Sequence, residues 1–441
     1  MDFFRRDKIW IFTGFAIAAF IALSMVEMIF PVIIFLFGIL IGLFLIALMN
    51  REERDFLAKI YFIAYFSRVV FSLAFYYMAF VLKGDGLLGD GYAYSVNGST
   101  ILRLWMSGIR DFSSLGEEAF RLSASGNLGA YDYWNAIVYF FTGLSPFSLI
   151  FINCIAGPLT AIFIYKITKQ VSNIRAARFA SFLMAFWPSS FFWSIQNLKE
   201  PLIVLFMIVL IWTIFSLKYK FRFYLIALII ASSFIVKEIR EFLFFIFYLS
   251  VLPLAFFMAS KRKKEAFVLL ICLVFLGIYL ARPYFSEFLS VKNILEFAHK
   301  KRAGGAYGNL AFFANWNIRT PFQYVLFLPI GLLAAFFAPF PWQLGSLSQA
   351  SSLPEMMIFY LLTPLMFYGA IHLIKKRMIE GWIIIVYVAI VALVLSSIEG
   401  NMGTLFRHRC IALPLFFVLI GIGMDKRNFK IILNDNASVN A

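Results

Sequence analysis

The sequence predicts an all-α polytopic membrane bundle of about twelve transmembrane helices, with a re-entrant segment and amphipathic interfacial helices in its outer loops. Three observations carry that expectation. Of the 441 residues, 62% are hydrophobic and 14% charged, with a mean hydropathy of +0.87, which is more apolar surface than a water-soluble globule can bury. The apolar residues come in runs close to the ~20 needed to cross a bilayer. Basic residues gather in alternate connections between those runs, as cytoplasmic loops require.

The runs fall at 9–27, 29–49, 57–82, 147–166, 176–193, 201–217, 222–236, 241–259, 266–282, 356–374, 381–397 and 408–424. The first follows a basic start without a small-residue cleavage site, so it is expected to be a retained span and not a signal peptide. With the N-terminus inside, the N-terminal segment, the cytoplasmic loops and the C-terminal tail together hold 23 of the 39 basic residues. A further apolar run, 322–338, ends in "APFPW" and is expected to turn back, because a full crossing would put "KKR" at 375–377 outside. A single integral membrane domain, 1–441, follows. The net charge of +16 is explained by the inner-leaflet bias and calls for no nucleic acid. Cys154, Cys272 and Cys410 each lie in an apolar run, which predicts neither a disulfide framework nor a cysteine metal site.

Two outer loops carry helical patterns. In "STILRLWMSGIRDF", Ile101, Leu104, Trp105 and Gly108 recur at helical intervals, leaving Arg103 and Arg110 on a polar side. In "YFSEFLSVKNILEFAHKKRAGGAYG", Phe285, Phe288, Leu295 and Ala298 turn inward, and Lys292 and Lys300 outward. Both read as helices lying in the interface or as plain amphipathic connectors.

The charges on the outer side point to chemistry. They are Asp85 and Asp90 in "KGDGLLGDGYAYSVNG", Arg103, Arg110 and Asp111, then "NLKEP", "KEIRE", "HKKR", Arg319, Glu399 and "FRHR". "KEIRE" places four charges between two apolar runs with hardly any loop, so some must pair or face a wet cavity. Arg68, midway along the third run, must likewise reach a cavity or pair internally.

An apolar hairpin, a third span, the acid-bearing outer loop and "YDYWNAIVYFFTGLSPFSLIFINCIAGPLTAIFIYKITK" together resemble the start of GT-C glycosyltransferases that use polyprenyl-phosphate-linked sugars. The group resembled comprises bacterial lipid A aminoarabinose transferases, protein O-mannosyltransferases and rhizobial core transferases. The late "GTLFRHRCIALPLFFVLIGIGMD" is similar to the basic motif and Pro-containing span near the end of such proteins. The resemblance implies a catalytic base in the first outer loop, with a tyrosine a few positions on; Asp90 and Tyr94 in "GDGYAY" fit. Where many relatives carry a pair of acids, this chain has Asp90-Gly91, so a second acid must come from Asp85 or another loop. The resemblance also implies a bacterial inner membrane, an outward-facing site, a polyprenyl-phosphate-linked donor and a lipid- or glycan-linked acceptor. With no large soluble domain after the last run, a multidomain oligosaccharyltransferase is not expected.

Moving a sugar from a lipid phosphate to a hydroxyl needs a base for the acceptor proton and cations for the departing phosphate. Asp90 is the first candidate base and Asp85 the second. Arg407 and Arg409 lead the phosphate candidates, followed by Arg240, Lys237 and Lys199. His408 reads as a proton carrier or an interfacial donor; Glu200 and Glu238 would bind sugar hydroxyls or pair with Lys199 and Lys237. Displacement with one base predicts inversion, since the covalent route needs a second carboxylate close by. No cofactor is required, although Asp85 and Asp90 leave a divalent cation open. Two other functions share these features: an O-antigen or exopolysaccharide polymerase or ligase, and a flippase or transporter of lipid-linked oligosaccharides.

Overall fold

The computed structural model describes residues 29–87, 89–109, 111–123, 128–219, 222–260, 290–306, 311, 316–343 and 347–426. The expected spans 9–27 and 266–282, the "KRKK" loop, Arg110, Cys272, Phe285, Phe288, Gly308 and the tail from 427 lie outside these residues. Among the described residues, every regular element is a helix apart from one isolated bridge between Ala311 and Asn401. Six helices among the described residues are long and apolar enough to cross a membrane, or seven if one bent pair counts as a span. The chain is an all-α integral membrane protein. It divides into two compact units, Met1–Pro158 with Ser194–Lys199, and Leu159–Trp193 with Glu200–Ala441.

The first unit opens with a hairpin of α1 (Ile29–Ala47) and α2 (Arg51–Lys83). Gly38 and Gly42 make room for two tyrosines of α2: a Cβ on Gly42 would lie 2.1 Å from the Tyr61 ring. The Tyr61 hydroxyl donates to Gly38 O at 2.7 Å and that of Tyr65 to Phe35 O at 3.0 Å, so the small residues bring backbone acceptors within reach. The 33 residues of α2 span about 50 Å, more than the ~30 Å hydrocarbon core. Midway along it, Arg68 is fully buried and donates to Ser194 Oγ at 2.8 Å and Ala64 O at 3.1 Å. Arg68 thus pairs internally, holding the 194–199 segment onto α2. Gly84 ends α2 at φ 81, and Gly89, at φ 53, precedes the next helix, both left-handed conformations that glycine adopts without a Cβ clash.

The acid-bearing loop folds as α3 (Asp90–Met106), α4 (Phe112–Arg121) and α5 (Ala130–Thr142). Ile101, Leu115, Ala119 and Ala136 form its apolar core, so the helical pattern read around Ile101 is the second half of α3. Next comes α6 (Pro146–Val171), whose first part, to Pro158, belongs to this unit.

The second unit continues with α7 (Ile174–Phe186) and α8 (Pro188–Ser194). The expected span 176–193 is therefore two helices, broken where Trp187 takes an extended conformation (φ −64, ψ 125) ahead of Pro188, as the residue before proline prefers. Then follow α9 (Glu200–Tyr219), α10 (Phe223–Ile239), α11 (Glu241–Ser260), α12 (Val291–Gly305) and α13 (Pro321–Phe337). The last four are α14 (Leu347–Lys375), α15 (Ile379–Ile398), α16 (Met402–His408) and α17 (Leu413–Lys426). α17 packs on both α7 and α14, so closely that a Cβ on Gly423 would lie 1.9 Å from Leu365 O. In α12, Leu295 and Ala298 are buried, and Lys292 and Lys300 exposed, as their spacing predicts. Arg302 is buried too, donating to Ser396 O at 3.2 Å and lying 4.1 Å over the Phe327 ring. The 17-residue α13 is about 25 Å long, short of the ~30 Å hydrocarbon core.

Candidate functional site

Three helix ends in the second unit bring charged residues together. α10 stops at Ile239 and α11 starts at Glu241, leaving Arg240 alone at the break with φ −155 and ψ 81. α9 opens on Glu200-Pro201, where proline costs no hydrogen bond and a carboxylate favours the helix N-terminus. α16 is capped by Asn401, whose side chain accepts from Gly403 N at 2.9 Å and Thr404 N at 3.4 Å. A short 3-10 turn, Arg409–Ile411, then carries the chain into α17 at a 62° bend, next to Pro414, which lacks the N–H to continue a helix.

The result is a buried ionic cluster. Arg240 Nη2 donates to Glu200 Oε1 at 3.2 Å and lies 2.7 Å from His408 Nε2. Arg407 Nε is 3.3 Å from the same Glu200 oxygen. His408 Nδ1 is bonded to Glu399 Oε1, and the Thr404 hydroxyl donates to Glu399 Oε2 at 2.9 Å. Glu200 is 1% exposed and Arg240 9%, yet Arg240 Nη1, also buried, makes no hydrogen bond to any described residue. A guanidinium donor left in this state is costly unless an anion takes it. Burial works to raise the Glu399 carboxyl, but hydrogen bonds from His408 and Thr404 and the charge of Arg240 hold it below its usual value.

The other charged candidates of this unit lie apart from those contacts. Lys237 and Glu238 pair with each other at 3.0 Å. Arg409 is buried, donating from Nε to Ala335 O at 2.9 Å, from Nη2 to Ala338 O, and from Nη1 to Met356 Sδ at 3.0 Å. All three of its nitrogens are spent on the protein, so Arg407 and not Arg409 joins the cluster.

The first unit holds a different polar assembly. Asn197 Nδ2 donates to Asn135 Oδ1 at 2.7 Å and Gly91 O at 3.3 Å, while the Tyr131 hydroxyl donates to Asn197 Oδ1 at 2.9 Å or Leu198 O at 3.0 Å. Asn153 Nδ2 reaches Gln196 O at 2.8 Å and Leu198 O at 2.7 Å. Asp132 is buried and accepts from Asn97 Nδ2 at 2.9 Å and Gly129 N at 2.7 Å. Burial raises its carboxyl above the usual value, partly offset by those hydrogen bonds and by the Lys199 charge. Tyr94 meets Tyr131 edge-on at 4.9 Å, and Lys199 Nζ lies 5.7 Å from the Tyr94 ring centre. Asp90 is the exposed first residue of α3, and half-buried Asp85 accepts from Leu87 N at 3.1 Å within its own turn. Among the described residues, no group of three or more His, Cys, Asp or Glu side chains could hold a metal ion.

No protein-family profile matches the chain, and no curated protein matches it. Among solved structures, the oligosaccharyltransferase AglB of Archaeoglobus fulgidus, in complex with an inhibitory peptide and a dolichol-phosphate, aligns over 89% of this chain with a TM-score of 0.52 and 15% identity. The chain shares the fold of this archaeal protein over the aligned residues. It spans about half of the archaeal protein, 53% of which is covered. ArnT of Cupriavidus metallidurans, bound to undecaprenyl phosphate, aligns over 81% of this chain and 59% of its own, with a TM-score of 0.46 and 12% identity.

On this fold, four residues singled out in the sequence meet: Glu200, Arg240, Arg407 and His408. Glu399, counted only as an outer charge, proves to be the partner of His408. Asp132 and the asparagines at 97, 135, 153 and 197 were passed over altogether. The signal available for the latter was four asparagines embedded in apolar or helical stretches, where an amide must find partners.

Proposed function

We propose that this protein is a membrane glycosyltransferase that moves a sugar from a polyprenyl-phosphate carrier to an acceptor hydroxyl on the outer face, in cell-envelope or polysaccharide biosynthesis. The observation that carries this reading is the ionic cluster of Arg240 and half-buried Arg407 on Glu200, in which the buried Arg240 Nη1 is left uncommitted. Phosphate oxygens suit such donors, and the archaeal protein sharing the fold was solved with a dolichol-phosphate. In the proposed reaction a carboxylate base, for which the sequence offers Asp90, takes the acceptor proton as the hydroxyl oxygen bonds to the anomeric carbon. The bond from that carbon to the phosphate oxygen breaks, its electron pair passing to the phosphate, where Arg240 and Arg407 steady the charge. Attack opposite the leaving group inverts the anomeric centre.

The test is transfer from polyprenyl-phosphate-linked sugars by reconstituted protein, with Asp90→Asn and Arg240→Ala alongside. Asp90→Asn is expected to abolish turnover while leaving donor binding intact; Arg240→Ala is expected to weaken donor binding. Normal turnover by Asp90→Asn would remove Asp90 from the chemistry. No transfer by the wild type from any such donor would sink the transferase reading.

A further inference from the structure

His408 stands between two partners that impose the same protonation on it. Its Nε2 lies 2.7 Å from Arg240 Nη2, and a guanidinium nitrogen has only hydrogens to offer. Nε2 must therefore accept, which puts the single hydrogen of a neutral imidazole on Nδ1. That nitrogen faces Glu399 Oε1, a carboxylate that can only accept. Thr404 fixes the other Glu399 oxygen at 2.9 Å, and Asn401, between Glu399 and Thr404 in sequence, caps the helix that carries His408. The charged groups around the imidazole are Glu399, Arg240, the neighbouring Arg407 and Glu200, whose Oε1 is 3.7 Å from Nε2. A second proton would have to enter at Nε2, hydrogen against hydrogen with Arg240.

We infer that His408 is a neutral positioning residue, locked as the Nδ1–H tautomer by Glu399, that holds Arg240 Nη2 and so leaves Nη1 for an incoming phosphate. It then neither carries a proton in the reaction nor touches the donor. This inference rests on the phosphate reading of the same cluster, and it gives Glu399 a part in the site. Glutamine at 408 offers one acceptor and one donor, as the fixed tautomer does; leucine offers neither.

The chain has three histidines, His299, His372 and His408, so ¹⁵N-histidine labelling of the full chain in detergent resolves them, and His408→Gln identifies the signal by its loss. The expected spectrum at neutral pH shows His408 uncharged with its hydrogen on Nδ1. An imidazolium, or a hydrogen on Nε2, overturns the inference. Binding of farnesyl phosphate supplies the second measurement. His408→Leu is expected to weaken it about ten- to hundredfold, the range for removing a buried hydrogen bond to a charged group, and His408→Gln to restore most of it. Unchanged binding by His408→Leu, or a loss that glutamine does not repair, overturns the positioning role. If Arg240→Ala and Arg407→Ala both bind farnesyl phosphate as the wild type does, the phosphate reading itself fails, while the tautomer measurement still decides the state of His408.

Discussion

The two polar assemblies are built from opposite materials. In the first unit they are amides: every side-chain NH₂ of Asn97, Asn135, Asn153 and Asn197 donates to a protein acceptor, and the atom left over is an acceptor, Asn153 Oδ1. In the second unit they are ions, and the Arg240 atom left over is a donor, Nη1. A network of amides with its donors spent serves as scaffold, because unmet amide groups would be costly to bury. An ionic cluster with a spare guanidinium donor is a poor way to gain stability, since desolvation offsets much of the attraction. What it does offer is a place for an anion. The difference separates what holds the fold from what is equipped to bind.

The sharpest way to break that contrast is Glu200→Ala. It leaves Arg240 and Arg407 without the carboxylate they share, and loss of one partner from a buried ion pair costs about 3–5 kcal/mol. Denaturant unfolding in detergent should show a destabilisation of that size, and an unchanged midpoint would mean the cluster is not ionic in the sense described. Asn197→Ala is expected to cost less, about 1–3 kcal/mol, the range for leaving buried polar partners unmet. Its effect should persist at high salt, because no charge is removed; a strong salt dependence would show that charges, not amides, hold this region.

Acid gives a subtler separation. The Asp132 carboxyl is raised, so its ionised form costs stability at neutral pH, and that cost disappears as pH falls through its folded value toward the usual 3.8. The Glu399 carboxyl is lowered, so its stabilisation is present above the usual 4.5 and fades as pH falls below that value. Hydrogen-exchange protection, corrected for intrinsic rates, should therefore rise in α3 and α5 on mild acidification and fall in α16 at lower pH. Parallel behaviour of the two regions would contradict the assignment of opposite electrostatics.

Much of the architecture was legible because apolar runs and basic loops are properties of chain segments. The site was legible only in part. "NLKEP", "KEIRE" and "FRHR" stood out as charges beside spans, and one residue or more from each does meet in the second unit. Arg407 and Arg409 could not be ranked from charge, yet side chains two apart on a helical turn face different sides, and the structure sends one to the cluster and the other to backbone carbonyls. Glu399 was missed because its link to His408 spans a helix break set by the Asn401 cap, with no periodicity to announce it. The asparagine network was missed because asparagine in a sequence reads as turn or cap, and only packing shows that these amides are buried.

Gly84 and Gly89 bracket the turn that carries Asp85 and leads to Asp90. Their left-handed φ angles, 81 and 53, confine drift at both positions, and most strictly at Gly89, whose ψ of −125 lies far from the left-handed helical well that asparagine tolerates. The Asp85 carboxylate, which closes its own turn, could give way to another short acceptor. A side chain at either position meets no neighbour but is strained by the backbone, so this glycine spacing is expected to resist substitution. A search for distant relatives is better seeded with that spacing, followed by a helix opening on an acid, than with the acids alone.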